Sequence, residues 1–404
     1  MSFARDLHTA TRLEGGEVLV TGGESGGEVH ASAERYNPET GQWSPADSMG
    51  APRFQHTATL LADGRVLALG GYGYGEYLAL ASIYDPAADT WSETQPMSAA
   101  RLGHGAVRLA SGKIFVMGGY NNFGLTAGTE HWDPAAGNWS SGPPMEAPKN
   151  RHSATVLADG RVLVAGGFDG IQGIASAEIY DPAANAWTPA GFMAEPRFMH
   201  TATLLADGRV LIAGGHGAPS SLASAEIYDP SQGTWSDAAP MKTGRFGATS
   251  VLLDNGTVLV IGGFDGIAFI AGAELYDPET GAWSEASSMA SGRRDHTATL
   301  LPGGGVLVAG GLGSEGSLAS AERFDIEMPC EGCGGGGGGG GGGGNASGGG
   351  GNDIGPPDFE DPGCACRGAR IRATGSPLMW MILIVSLAMR RRSRRSSSPL
   401  RPRS

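Results

Sequence analysis

With 404 residues, 40% of them hydrophobic and 17% charged, the chain can bury a large core, and its formal net charge is −13. The acid is concentrated in residues 1–328, which hold 18 Lys+Arg against 36 Asp+Glu, whereas residues 329–404 carry a net +5. An acidic body without a basic stripe excludes nucleic acid as the expected partner.

The N-terminus, MSFARDLHTATRL, lacks a charged segment followed by an apolar run, so it does not read as a secretory signal. Met1 instead falls in a repeat column with Met49, Met97, Met145, Met193, Met241 and Met289, each 48 residues on. The chain therefore begins in mid-unit. We expect an upstream segment that supplies the preceding strand and an export signal.

The same step governs the chain as far as residue 328. Gly-Gly pairs start at Gly22, Gly70, Gly118, Gly166, Gly214, Gly262 and Gly310, and Trp43, Trp91, Trp139, Trp187, Trp235 and Trp283 keep the interval of 48. A fixed period in this range signals stacked supersecondary units. In the unit at 197–244, RFMHTATLLA and RVLIAGG are β-rich and flank Asp207-Gly208, so a tight hairpin with a type I′ turn is predicted. ASAEIYDP (223–230) predicts a third strand stopped by Pro230, and the segment around Trp235 a fourth. Four antiparallel strands recurring seven times predict an all-β, seven-bladed propeller.

The Gly-Gly pair after a hydrophobic strand, then Tyr-Asp-Pro or Tyr-Asn-Pro, then a Trp about seven residues later, resembles the kelch repeat over residues 1–328. The resemblance implies an innermost first strand and an outermost Trp strand. Trp132 and Phe324 replace the column tyrosine, so that column requires an aromatic ring rather than a phenol. In the seventh unit Glu331 stands where Trp is due, which predicts a last blade without its outer strand.

Two polar columns are candidates for chemistry. His8, His56, His104, His152, His200 and His296 occupy equivalent places, with Ala248 in the sixth unit. They suit either a metal or anion ring or a packing role bonded to the neighbouring blade. Three residues upstream stand Arg5, Arg53, Arg101, Lys149, Arg197, Arg245 and Arg293. Arg53, Arg101 and Arg197 are candidates for an acidic ligand, although Glu178, Glu226, Glu274 and Glu322 offer such cations structural partners.

The loops after Gly-Gly differ between repeats and should cluster on one face. There Tyr74, Tyr77 and Asn121 are expected to be exposed and to bind ligand, while Phe168 and Phe264 are expected to pack between blades.

From Pro329 the composition changes. The Gly-rich stretch 329–363 cannot fold alone and predicts a disordered linker. Residues 364–404 hold Cys364 and Cys366, an apolar stretch at 378–389 predicting a short helix, and Arg390–Arg392 with Arg394 and Arg395. Twelve residues are too few for a stable helical span. This order resembles the myxobacterial-type C-terminal sorting signal. It implies membrane contact before processing, modification at the cysteine, and a cell-surface or extracellular location. Cys330 and Cys333 suit a disulfide in an exported protein better than a zinc site shared with Cys364 and Cys366.

The leading expectation is a monomeric, cofactor-free binding module for a protein or glycan, without bound metal. The alternative is an extracellular kelch enzyme acting on carbohydrate, epimerase-like. Copper-radical chemistry of the galactose oxidase type needs a cysteine crosslinked to tyrosine, and residues 1–328 contain no cysteine.

Overall fold

The computed structural model describes residues 1–326 and 371–374, and within them the 48-residue unit becomes a blade. In blade five the strands are Thr201–Leu204, Val210–Ala213, Ala225–Asp229 and Thr234–Ala238, hydrogen-bonded in chain order and antiparallel throughout. Seven such four-stranded sheets follow one another. Their first strands contact around a complete ring, with Thr9–Arg12 of blade one against Thr297–Leu300 of blade seven. This is a seven-bladed β-propeller.

The core lies between blades. Each of seven apolar clusters joins one neighbouring pair, such as Leu163, Ile179 and Met193 of blade four with Val210, Ile212 and Tyr228 of blade five. The second strand of each blade is apolar throughout, apart from Thr21 in blade one, because both of its faces are covered: Val210, Leu211 and Ile212 are at most 1% exposed. The tryptophans span the same gaps. Trp91, Trp139, Trp187, Trp235 and Trp283 each donate the indole N–H to a carbonyl of the preceding blade at 2.7–2.8 Å.

The inner hairpin is not the two-residue type I′ form. Leu205 and Arg209 still pair, with the Leu205 amide 2.8 Å from the Arg209 carbonyl, and the Gly208 amide reaches the Leu205 carbonyl at 3.0 Å. Gly208 alone is left-handed, at φ +88°, so Ala206–Gly208 form a three-residue loop ending in a glycine bulge. Asp207 serves the turn differently from the prediction, accepting from the Arg209 amide at 3.0 Å.

Blade seven is complete, contrary to expectation. Its fourth strand is Ile371–Thr374, paired antiparallel with Arg323–Ile326. The segment expected to serve only as a sorting tail thus contributes a strand to the propeller, and the outer-strand signal was missed because it carries no tryptophan. The linker at 329–363, with Cys330 and Cys333, and Cys364, Cys366 and the apolar stretch at 378–389 lie outside the described residues. Among the described residues no helix is long and apolar enough to cross a membrane.

Ending the chain at residue 363 removes that strand and bares the edge of Arg323–Ile326. The truncated protein should unfold several degrees below one ending at residue 376 in a thermal melt. Equal melting temperatures would refute a stabilising role for the strand.

Candidate functional site

The predicted cationic column is sealed inside the blades. Arg53 and Arg197 are 0% exposed and Arg101 is 1%. Arg101 donates to Glu130 at 2.6 Å and to the Gly118 and Gly128 carbonyls at 2.9 and 3.0 Å. Arg197 is held likewise by Glu226, Gly214 and Ser224, and Lys149 by Glu178. The other carboxylate oxygen takes a main-chain N–H, from Ser98 for Glu130 and from Ala194 for Glu226, so each pair is satisfied on both sides. Arg53, Arg101 and Arg197 are therefore removed as ligand candidates: they are at most 1% exposed, and the one unpartnered donor of each, Nε, is buried with the rest of the side chain.

Arg53 is the odd member. Ser82 replaces the glutamate, accepting from Arg53 at 3.1 Å, and burial pushes the guanidinium down to about 10. Ser82→Glu should restore the pair and stabilise the fold by about 1.5–3 kcal/mol, the range for a bond to a charged group, which raises the urea midpoint. A lowered midpoint would contradict this assignment.

The histidine column bonds neighbouring blades at five of the seven junctions. His56 Nε2 meets Thr9 Oγ1 at 3.0 Å, His104 meets Thr57 at 2.9 Å, His200 meets Ser153 at 2.9 Å, and His296 meets Thr249 at 2.9 Å. His8 meets Thr297 at 3.1 Å and joins the first blade to the seventh. Burial drives His8, His104, His152, His200 and His296 down to about 3, and His56 well below its usual range. Among the described residues no group of three His, Cys, Asp or Glu side chains has metal-holding geometry.

One position inward in the chain lies a feature not anticipated from the sequence. Leu7, Gln55, Gly103, Arg151, Met199, Gly247 and Asp295 are all left-handed, with φ of +50° to +63°. Each amide donates to the carbonyl of its counterpart one blade earlier, at 2.9–3.3 Å, giving a closed sevenfold ring of main-chain bonds around the axis. Five of the seven are not glycine, and left-handed backbone costs such residues about 1 kcal/mol or more each. Their side chains rim a cavity of about 320 Å3 whose floor includes the histidines. The available signal was a column whose flanks repeat while its own residues never settle: Leu, Gln, Gly, Arg, Met, Gly, Asp.

Comparison with known proteins agrees with this architecture. The KLHDC2/KLHL20/DRC7 Kelch-repeats domain matches residues 103–311, just over half of the chain, and the Kelch motif matches 15–50 and 53–98. The chain belongs to the kelch-repeat family. A solved structure described as a novel fungal alcohol oxidase with catalytic diversity among the AA5 family, in complex with copper, is 24% identical and has a TM-score of 0.65, covering 77% of this chain and 70% of its own. YjhT is 15% identical with a TM-score of 0.58, covering 71% of this chain and 99% of its own. Both likenesses are of fold alone. No curated protein matches the chain.

In this kelch propeller the loops after Gly-Gly surround the axial mouth, since Phe54 bridges to Tyr72, Leu102 to Tyr120 and Phe246 to Phe264. Tyr74 is exposed, as expected, at 69%. Tyr77 is half-buried between Tyr72 and Tyr120, at ring separations of 5.2 and 5.7 Å. Asn121 is not free: its Oδ1 accepts from the Phe123 amide at 2.8 Å and its Nδ2 donates to the Ala100 carbonyl at 3.1 Å. That lock presents Phe123, which is 99% exposed. Asp169 holds the Ile171 amide in the same way at 2.8 Å, and Asp265 the Ile267 amide at 2.7 Å. Ile171 is 88% and Ile267 92% exposed. These tips were missed because a lone apolar residue in a loop carries little signal. Phe168 packs on Phe198 of the next unit at 5.1 Å, as expected for an inter-blade ring, whereas Phe264 packs on Phe246 and Phe269 of its own unit.

On the charged side of the mouth, Arg294 lies 5.6 Å from the Phe246 and Phe264 ring centres and 3.4 Å from Asp295. Burial raises Asp295 to about 6, against the pull of Arg294 and Arg151, and raises Asp6 and Glu24 as well.

These shifts set an acid response. Unfolded, the column histidines protonate near pH 6.5, whereas in the fold five protonate near 3. Their contribution is complete above about pH 6.5 and is lost as pH falls toward 3. Asp6, Glu24 and Asp295 oppose this, being raised, but six imidazoles outnumber three carboxyls. The melting temperature should fall from pH 6.5 to pH 4, with a shallower slope in His104→Ala. An unchanged slope in that variant would show that His104 does not titrate with unfolding.

Proposed function

We propose that this kelch propeller is a non-catalytic binding module, displayed at the cell surface, that captures a protein partner with the loop crown around its axial mouth. The observation that carries the proposal is the pairing of Phe123, Ile171 and Ile267 with Asn121, Asp169 and Asp265. Only the third, fourth and sixth loops carry Asn or Asp at the first position of this pair, and the same three loops carry a large apolar tip two residues later. Such tips are held outward before any partner arrives, which lowers the ordering cost of binding. Two of the three are aliphatic, which suits an apolar protein pocket better than a sugar face. Display at the surface is supported by Cys364 and Cys366, the apolar stretch 378–389 and the following arginines.

The alternative, an extracellular enzyme acting on carbohydrate, is favoured by one observation: Asp295, raised to about 6, faces the axial cavity and could move a proton there. Against it stands a repeat that keeps its 48-residue step through all seven units with no inserted loop. The copper in the oxidase structure's description belongs to that protein.

The test is a triple variant, Phe123→Ser, Ile171→Ser and Ile267→Ser, which should melt close to the parent because the tips pack against nothing. A partner captured from the cell's surface fraction should bind the parent one to one and the variant at least a hundredfold more weakly. Undiminished binding by the triple variant would overturn the crown. Glycan-array binding that needs Tyr74 but none of the three tips would replace the protein partner with a glycan.

A further inference from the structure

The lumen departs from sevenfold repetition in two sectors, and one of them strands both nitrogens of a column histidine. In blade six, Gly247 and Ala248 replace side chains, and the facing Thr201 turns its hydroxyl to the Ala213 carbonyl at 3.2 Å. In blade three the replacements are Gly103 and Gly105. Gly105 stands where the other blades place Thr or Ser, the hydroxyl that meets the next histidine. Accordingly His152 is the column histidine with neither ring nitrogen partnered among the described residues. A Cβ at Gly105 would lie 2.9 Å from His152 Nε2, so the notch opens directly onto that nitrogen.

Gly103 widens the same notch at the rim. The point its Cβ would occupy lies 3.6 Å from Arg151 Cγ and 3.7 Å from both Gln55 Oε1 and Asn150 Nδ2. Gln55 Oε1 and Asn150 Oδ1 are buried acceptors with no donor among the described residues. Arg151 extends into the cavity with only the Met199 sulfur, at 3.2 Å, as a hydrogen-bond partner among the described residues. Stranded buried polar atoms are rare enough that each calls for a partner. Two of them, Gln55 Oε1 and the His152 imidazole, border the notch, together with the exposed guanidinium of Arg151 for an anion and the Asn150 Nδ2 donor at its rim.

We propose that the blade-three notch, formed by Gly103 and Gly105 and lined by Gln55, Asn150, Arg151 and His152, binds a small hydroxycarboxylate at the propeller axis. The carboxylate meets Arg151, and its hydroxyls donate to Gln55 Oε1 and accept from Asn150 Nδ2. His152 takes the place beside the ligand that its five counterparts give to a Thr or Ser hydroxyl. This site is separate from the crown tips and does not depend on what they capture.

The test uses the full chain and three probes in titration calorimetry: gluconate, its uncharged counterpart sorbitol, and propionate, which has no hydroxyl. Gluconate should bind one per chain, with sorbitol and propionate at least tenfold weaker. Arg151→Gln, which places a residue already tolerated in the same backbone conformation at Gln55, should weaken gluconate at least thirtyfold. Gly105→Ser should give His152 the hydroxyl that Ser153 gives His200, raising the melting temperature while abolishing gluconate binding. Gluconate no tighter than sorbitol would overturn the proposal. So would Gly105→Ser with binding intact, or crystals soaked in gluconate that show ordered water alone in the notch. None of these results bears on the triple tip variant, so the crown and the notch fail separately.

Discussion

The propeller depends on a close approach that only glycine permits. A Cβ on Gly70 would lie 2.5 Å from the Arg101 carbonyl oxygen and 2.9 Å from His104 Cε1, both in the following blade, and Gly70 is left-handed at φ +61°. The second glycine, Gly71, donates its amide to that same carbonyl at 2.9 Å. One residue thus fastens two blades: the main chain of Arg101 holds blade two, and its side chain reaches Glu130 and the Gly118 carbonyl of blade three. The circle closes through the same device, with the Gly311 amide 2.8 Å from the Arg5 carbonyl. A change of length in any unit would move its glycine pair away from the next arginine, which is a physical reason for the constant interval of 48.

Much of this was legible in the sequence because a repeat multiplies weak signals. A single Gly-Gly or Tyr-Asp-Pro says little, but seven in register establish strands, blade number and the stacking order of the sheet. The histidine and arginine columns were legible as columns and ambiguous as roles. A constant spacing shows that residues are equivalent without showing whether they face solvent or a neighbouring blade, and here Arg53, Arg101 and Arg197 face glutamate, serine and carbonyl oxygens. The fourth strand of blade seven was hidden for the opposite reason. Ile371–Thr374 occurs once, far from its partner strand in the chain and without the tryptophan that marks the others.

What repetition conceals is the site. The residues we assign to the axial notch are those that fail to repeat, and a search for regularity discards them. Gly103 and Gly105 read as ordinary members of a chain with 69 glycines until the neighbouring blades show a hydroxyl where Gly105 has none. The same holds for Asn121, which looked like an exposed ligand contact and instead fixes the loop that exposes Phe123. Its short side chain can reach an amide two residues ahead, a local bond that needs no tertiary contact.

The left-handed ring at the mouth connects fold to function. Seven residues accept an unfavourable backbone conformation, and the closed circle of amide-to-carbonyl bonds holds them there. Because that circle uses only main-chain atoms, it is indifferent to the side chains it displays. Leucine, glutamine, arginine, methionine and aspartate all occupy it with φ between +50° and +53°. A rim of this kind can change its chemistry one blade at a time without altering blade geometry. In this chain it carries a cation on blade four and a carboxylate on blade seven, with glycine openings on blades three and six. The axis of a nearly symmetric molecule is thereby made asymmetric at the place where one small ligand can touch several blades at once.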